Sequence, residues 1–135
     1  MASEPQRQIQ EGMGYTDKEF EIVMSDPQRK KVLEAGPTMV RRKIVAEVIE
    51  CKNCAAHKAG AKYTIRGNGV LLARECDNNM CISLLAALSP ACHAVSDRLA
   101  QGEDPKGKFV SYVHCPDTGV SCGGFGEAVA KVTVE

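Results

Sequence analysis

Aromatic residues make up only 4% of the 135-residue chain, and tryptophan is missing altogether. The interior must therefore be built from Val, Ile, Leu, Ala and Met, with Cys as a further small apolar residue. No aromatic platform for stacking single-stranded bases is present. An excess of one charge is lacking too, because 17 Lys plus Arg balance 17 Asp plus Glu. That balance removes the net positive field on which non-specific nucleic-acid binding depends. A basic cluster, Arg41-Arg42-Lys43, reads as the charged start of an edge strand rather than as a phosphate contact. No apolar run is long enough to cross a bilayer, and the first 30 residues hold no apolar stretch of the signal-peptide kind. The expectation is a cytoplasmic protein with no membrane insertion and no nucleic-acid partner. Gly123-Gly124-Phe125-Gly126 lacks both the spacing and the following helix of a phosphate loop, and it reads instead as a bulge or a close backbone approach. No Walker-type or Ser-His-Asp arrangement stands out.

What the chain does have is cysteine. Seven occur, at positions 51, 54, 76, 81, 92, 115 and 122. In a reducing compartment an odd number argues against a disulfide scaffold and toward metal, redox or plain core roles. A length of 135 residues suits one domain that buries roughly two-thirds of its unfolded surface.

Residues 1–14 are polar and read as a loose arm. Thr16-Asp17-Lys18-Glu19 has the form of a capping box, with Phe20, Val23 and Met24 sharing a helical face behind it. Ser25-Asp26-Pro27 opens a second short helix that Gly36-Pro37 stops. The β-branched run from Arg42 to Glu50 predicts a strand. Ala61 to Arg66 predicts another, with Gly67-Asn68-Gly69 as a hairpin turn and Val70-Leu71-Leu72 as its return. Asp77-Asn78-Asn79 supplies cap chemistry for a helix from Met80, with Ile82, Leu85 and Ala86 at helical spacing. Pro90 either kinks that helix or starts a second one, and the helical stretch ends near Gly102. Strands at Phe109 to His114 and Glu127 to Val134 close the domain, with a turn at Asp117-Thr118-Gly119 between them. The fold expected is α+β, a small and mainly antiparallel sheet packed on a central helix. Residues 1–38 form an N-terminal helical arm and residues 39–135 the cysteine-containing domain. The arm cannot bury its own apolar stripe and must lie against the remainder of the domain or against another subunit, and the expectation is a protein partner or a homo-oligomer.

All the cysteines except Cys92 fall at element ends or in turns, where a backbone can wrap an ion. Cys51-x2-Cys54 and Cys76-x4-Cys81 lie within zinc-site spacing, Cys115-x6-Cys122 is a third pairing, His57 follows Cys54 by three residues, and Cys115-Pro116 has the form of the end of a bacterial ferredoxin run, although the Cys-x2-Cys-x2-Cys run itself is absent. Cys81 falls in the first turn of the main helix, where free N–H groups favour a thiolate, whether as metal ligand or as reactive thiol. His93 reads as an ordinary, partly buried helix side chain, and His114 as a cross-strand polar neighbour rather than a residue that orients a metal ligand. Asp117 reads as the acceptor of an Asx-type turn.

From about Lys43 to Val132 the chain resembles a family of small, largely uncharacterised prokaryotic proteins. The resemblance is carried by Cys54-Ala55-Ala56-His57-Lys58-Ala59-Gly60, by the helix opening Cys81-Ile82-Ser83-Leu84-Leu85-Ala86-Ala87-Leu88, and by Cys115-Pro116-Asp117. It implies a central set of Cys54, His57, Cys81 and Cys115, joined by Cys76 and Cys122 in a longer branch, and it leaves Cys51 and Cys92 outside. The expectation is a small metal-binding protein that holds an iron–sulfur cluster or zinc through these six residues and serves as a subunit or accessory of a larger metabolic enzyme. Two alternatives stand beside it, an independent thiol-redox or cysteine-nucleophile enzyme and a structural module with inert cysteines.

Overall fold

A computed structural model describes residues 3–135. Four short helices come first: α1 (Glu4–Met13), α2 (Asp17–Ser25), α3 (Pro27–Glu34) and α4 (Gly36–Arg41). Strands β1 (Lys43–Lys52) and β2 (Lys62–Arg66) follow, then the long helix α5 (Ile82–Ala100) and strands β3 (Val110–His114) and β4 (Glu127–Val134). The strands form one antiparallel sheet in the order β2-β1-β4-β3. The fold is α+β, with α5 packed on the sheet as expected.

The packing follows from side-chain period. Along β4 burial alternates strictly, Ala128, Ala130, Val132 and Val134 turning inward, as a sheet covered on one face requires. Ala130, Val132 and Val134 meet Ile44, Ala46 and Val48 of β1 and Tyr63 and Ile65 of β2. Helix α5 covers them with Leu84, Leu88, Ala91, Cys92, Val95 and Leu99, a spacing of three and four residues that forms one helical stripe. Cys92 is thus a core residue. The apolar spacing read from Ile82, Leu85 and Ala86 marks a different face, and Ile82 is 79% exposed.

Other expectations also need correction. Residues 3–14 are not a loose arm, residues 1 and 2 lying outside the described residues: Ser3 and Gln6 form a reciprocal capping box at the start of α1, and Gly14 at φ 71° ends it. Strand β1 is interior to the sheet, so Arg42 and Lys43 guard no edge. Arg42 forks onto Asp104 at 3.0 and 2.8 Å, and Lys43 pairs with Glu75. The expected return strand is a single bridge between Ile65 and Leu71. Pro90 lies inside one continuous α5.

Candidate thiol cleft

The N-terminus of α5 faces the end of the sheet where β1 and β3 end and β4 begins. A cleft of 520 Å³ opens there, and Cys54, His57, Cys81, Cys115 and Asp117 all line it. Three chain segments far apart in sequence supply these groups, and each is held locally.

Cys54 and His57 belong to the loop after β1. Asn53 turns that chain with a positive φ of 56°. The N–H of Gly60 returns to the Val48 carbonyl at 2.6 Å. Gly126 lies so close to the Asn53 carbonyl that a Cβ there would collide with it, so the β4 approach is pinned against this loop. Cys115 follows β3. Its N–H donates to the Ala128 carbonyl at 2.9 Å, and its sulfur accepts the Ala128 N–H at 3.3 Å. Asp117 accepts the N–H groups of Gly119, Phe125 and Gly126, which is the expected Asx turn extended across the glycine loop. A Cβ on Gly124 would collide with the same carboxylate. The glycine segment is therefore a close backbone approach that closes one wall of the cleft. The N–H of Gly119 above all, then that of Phe125, holds the Asp117 carboxyl below its ordinary pKa.

Cys81 is the N-cap of α5, with extended backbone at φ −65° and ψ 128°. Its sulfur forms no cap hydrogen bond, but the backbone N–H of Leu84 first, and then that of Ser83, lowers the thiol pKa. The helix dipole acts in the same direction. Cys51, paired with Cys54 by spacing but left outside the set that the resemblance implies, neighbours these groups. It donates its S–H to the His57 carbonyl at 2.9 Å. Burial first, and then the adjacent Cys54 thiol, push its pKa up, with Cys115 adding to the effect.

His57 is only 3% exposed, and burial pushes its imidazole toward the neutral form. Both ring nitrogens are engaged. Nε2 meets the Cys81 N–H at 3.2 Å, and Nδ1 meets the Tyr63 hydroxyl at 2.7 Å. Tyr63, fully buried, in turn reaches Asn78. Neither Tyr63 nor Asn78 was singled out for the site. Asn78 read as cap chemistry, and the only available signal for Tyr63 was a phenol on a strand face that the core would bury.

Of the six residues expected to hold a metal, Cys54, His57, Cys81 and Cys115 come to this cleft and two lie elsewhere. Cys76 donates to the Leu72 carbonyl at 3.3 Å and packs against the core, and Cys122 is exposed beyond the Asp117 turn. Soft thiolates suit zinc or an iron–sulfur cluster. Among the described residues, however, no three His, Cys, Asp or Glu side chains are grouped so that one ion could be held between them. The donor chemistry fits such an ion and the arrangement does not. His114 bonds Glu127 at 3.2 Å across β3 and β4, as a cross-strand neighbour should, and His93 lies exposed on α5.

No family model, curated protein or solved structure matches the chain. No helix among the described residues is long and apolar enough to cross a membrane.

Proposed function

We propose that the cleft is a thiol–disulfide exchange site in which Cys81 is the attacking thiolate and Cys54 or Cys115 is the second thiol. One observation carries this reading: Cys81 sits at the N-terminus of a 19-residue helix and opens on the same cleft as two further free thiols. A thiolate favoured at a helix N-terminus can attack an acyl carbon without a base, but cleavage of an amide also needs an acid to protonate the leaving amine, and the nearest imidazole accepts a backbone N–H at Nε2 and has no proton there to give. Acyl transfer has no use for a second thiol either. Disulfide exchange needs no separate base once the thiolate is favoured, and it consumes the second thiol.

In the first step the Cys81 thiolate attacks one sulfur of a substrate disulfide. The S–S bond breaks, half of the substrate leaves as a thiolate, and Cys81 carries the other half. The second protein thiolate then attacks the Cys81 sulfur and expels that half. Two electrons pass from the two cysteines to the substrate, which ends as two thiols. Ionisable groups on the cleft wall include Asp117 and Glu127 but no Lys or Arg, which favours neutral disulfides over anionic ones.

Iodoacetamide labelling near neutral pH, mapped by mass spectrometry, tests the reading. Cys81 should label first, well before the buried Cys92, and a chelator should change nothing. Exposure to bis(2-hydroxyethyl) disulfide, a neutral open-chain disulfide whose halves leave separately as thiols, should link Cys81 to Cys54 or Cys115. Thiols that stay silent until a chelator strips a stoichiometric zinc or iron would replace this reading with thiolate ligation. Slow labelling with no preference for Cys81 would leave only inert thiols.

A further inference from the structure

The position of the Cys81 backbone depends on a chain of hydrogen bonds whose direction is fixed by its first member. A backbone N–H can only donate, so His57 Nε2, at 3.2 Å from the Cys81 nitrogen, must be the acceptor and carry no proton. A neutral imidazole then carries its proton on Nδ1. That proton goes to the Tyr63 oxygen at 2.7 Å, and the phenol, with its acceptor side used, donates its own proton to the Asn78 side-chain oxygen. Every member of the chain is satisfied, and no buried side-chain nitrogen or oxygen among the described residues lacks a partner. The ring packs edge-on against Tyr63 with centroids 5.2 Å apart, which leaves it one orientation.

We infer that His57, Tyr63 and Asn78 are positioning residues, a relay from the surface to the Cys81 N–H that sets where the thiol sits over the first turn of α5. His57 on this view is neither the base that deprotonates Cys81 nor a metal ligand. Its lone pair holds main chain, and the protonated ring could not. The first N–H groups of a helix have no partner within the helix, and those of Leu84 and Ser83 bear on the sulfur only while Cys81 keeps its extended backbone. A carbonyl in place of the imidazole would also accept an N–H. The imidazole adds a second anchored end, because its other nitrogen is tied through Tyr63 to the loop that leads into α5. This inference rests on the thiol reading for its consequence but not for its geometry.

Two measurements on the full chain separate the two. Nitrogen-15 NMR of the imidazoles reports the tautomer directly, and His57 should show the proton on Nδ1. Iodoacetamide labelling across a pH range reports the midpoint of Cys81 ionisation. Tyr63→Phe and Asn78→Ala should each raise that midpoint and slow labelling several-fold at neutral pH, with Asn78→Ala the milder. Asn78 is exposed, so its variant tests the relay even if the buried phenol proves necessary for folding. Residues that merely stabilise the fold would lower the melting temperature and leave the midpoint where it was, and that outcome overturns the inference. A proton on Nε2 overturns it as well. If wild-type Cys81 shows no preferential labelling, the exchange reading fails, and the NMR tautomer alone decides the relay.

Discussion

Asp117 shows how a single side chain can shape this cleft without taking part in chemistry. Its carboxylate gathers three N–H groups from the glycine loop, and a charged acceptor binds such donors more strongly than a neutral one. Because its folded pKa lies below the ordinary carboxyl value, the unfolded chain takes up protons first as pH falls. The stabilisation is therefore full above the unfolded value of about 3.9 and is lost as pH drops through the folded one. Asp104 behaves alike, held down to about 2 chiefly by Arg42. Asp117→Asn should lower stability at neutral pH and should lose less than the wild type on acidification. Asp104 contributes equally to both proteins, so the difference between them isolates Asp117. Urea unfolding at neutral pH and at about pH 3 checks it, and parallel losses in the two proteins would show that the turn does not depend on charge. Asp117, the glycine segment and Cys81 were legible in the sequence because each answers to a local rule, an Asx turn, a chain with no Cβ, a helix start. Tyr63 and Asn78 were not. Their roles exist only once β1, β2 and the loop before α5 have been brought together, and no spacing along the chain encodes that.

At the scale of elements, α5 combines a sound stripe with one flaw. Leu84, Leu88, Val95 and Leu99 are all essentially buried, and the hydrophobic run announced the helix correctly. It did not announce the face, because Ile82, Leu85 and Ala86 offer an equally regular spacing. The sheet decides between them. Pro90 sits on the solvent side and removes the N–H that would reach the Ala86 carbonyl, and Ala86 is itself exposed. Water can satisfy that carbonyl, which explains why the helix runs through the proline rather than breaking into two. The local cost remains: proline is about 3 kcal/mol worse than alanine inside a helix. Replacing it also frees the unfolded chain, which offsets about 0.4 to 1 kcal/mol of the gain. Pro90→Ala should thus raise the unfolding free energy by about 2 kcal/mol in a denaturant titration, with Cys81 labelling unchanged since nine residues separate the two positions. An unchanged or lowered stability would mean that the proline's bend is needed for the stripe to meet the sheet.

Over the whole molecule, burial is divided unevenly. The core cluster of sheet and α5 takes Met39 from the four N-terminal helices, while α1 and α3 contribute no buried residue. Phe20 of α2 is covered, stacked 6.4 Å from Tyr15. Between α1 and the α3–α4 segment runs an open apolar groove of 810 Å³ whose walls include Ile9, Met13, Val32 and Val40, three of them substantially exposed. Helices of 6 to 10 residues are too short to persist on their own hydrogen bonds, so their stability must come from packing, and little is supplied. Regions with few buried apolar contacts open at a lower free energy than the core does. Hydrogen exchange followed by mass spectrometry should therefore show the amides of α1 to α3 exchanging well before those of β1 and β4. Helix α4 should be slower than its neighbours because Met39 ties it to the core. Protection of α1 to α3 equal to that of the sheet, at every protein concentration, would show that the helices and the sheet open as one unit. Protection that rises with concentration would instead show that a second copy of the chain covers the groove.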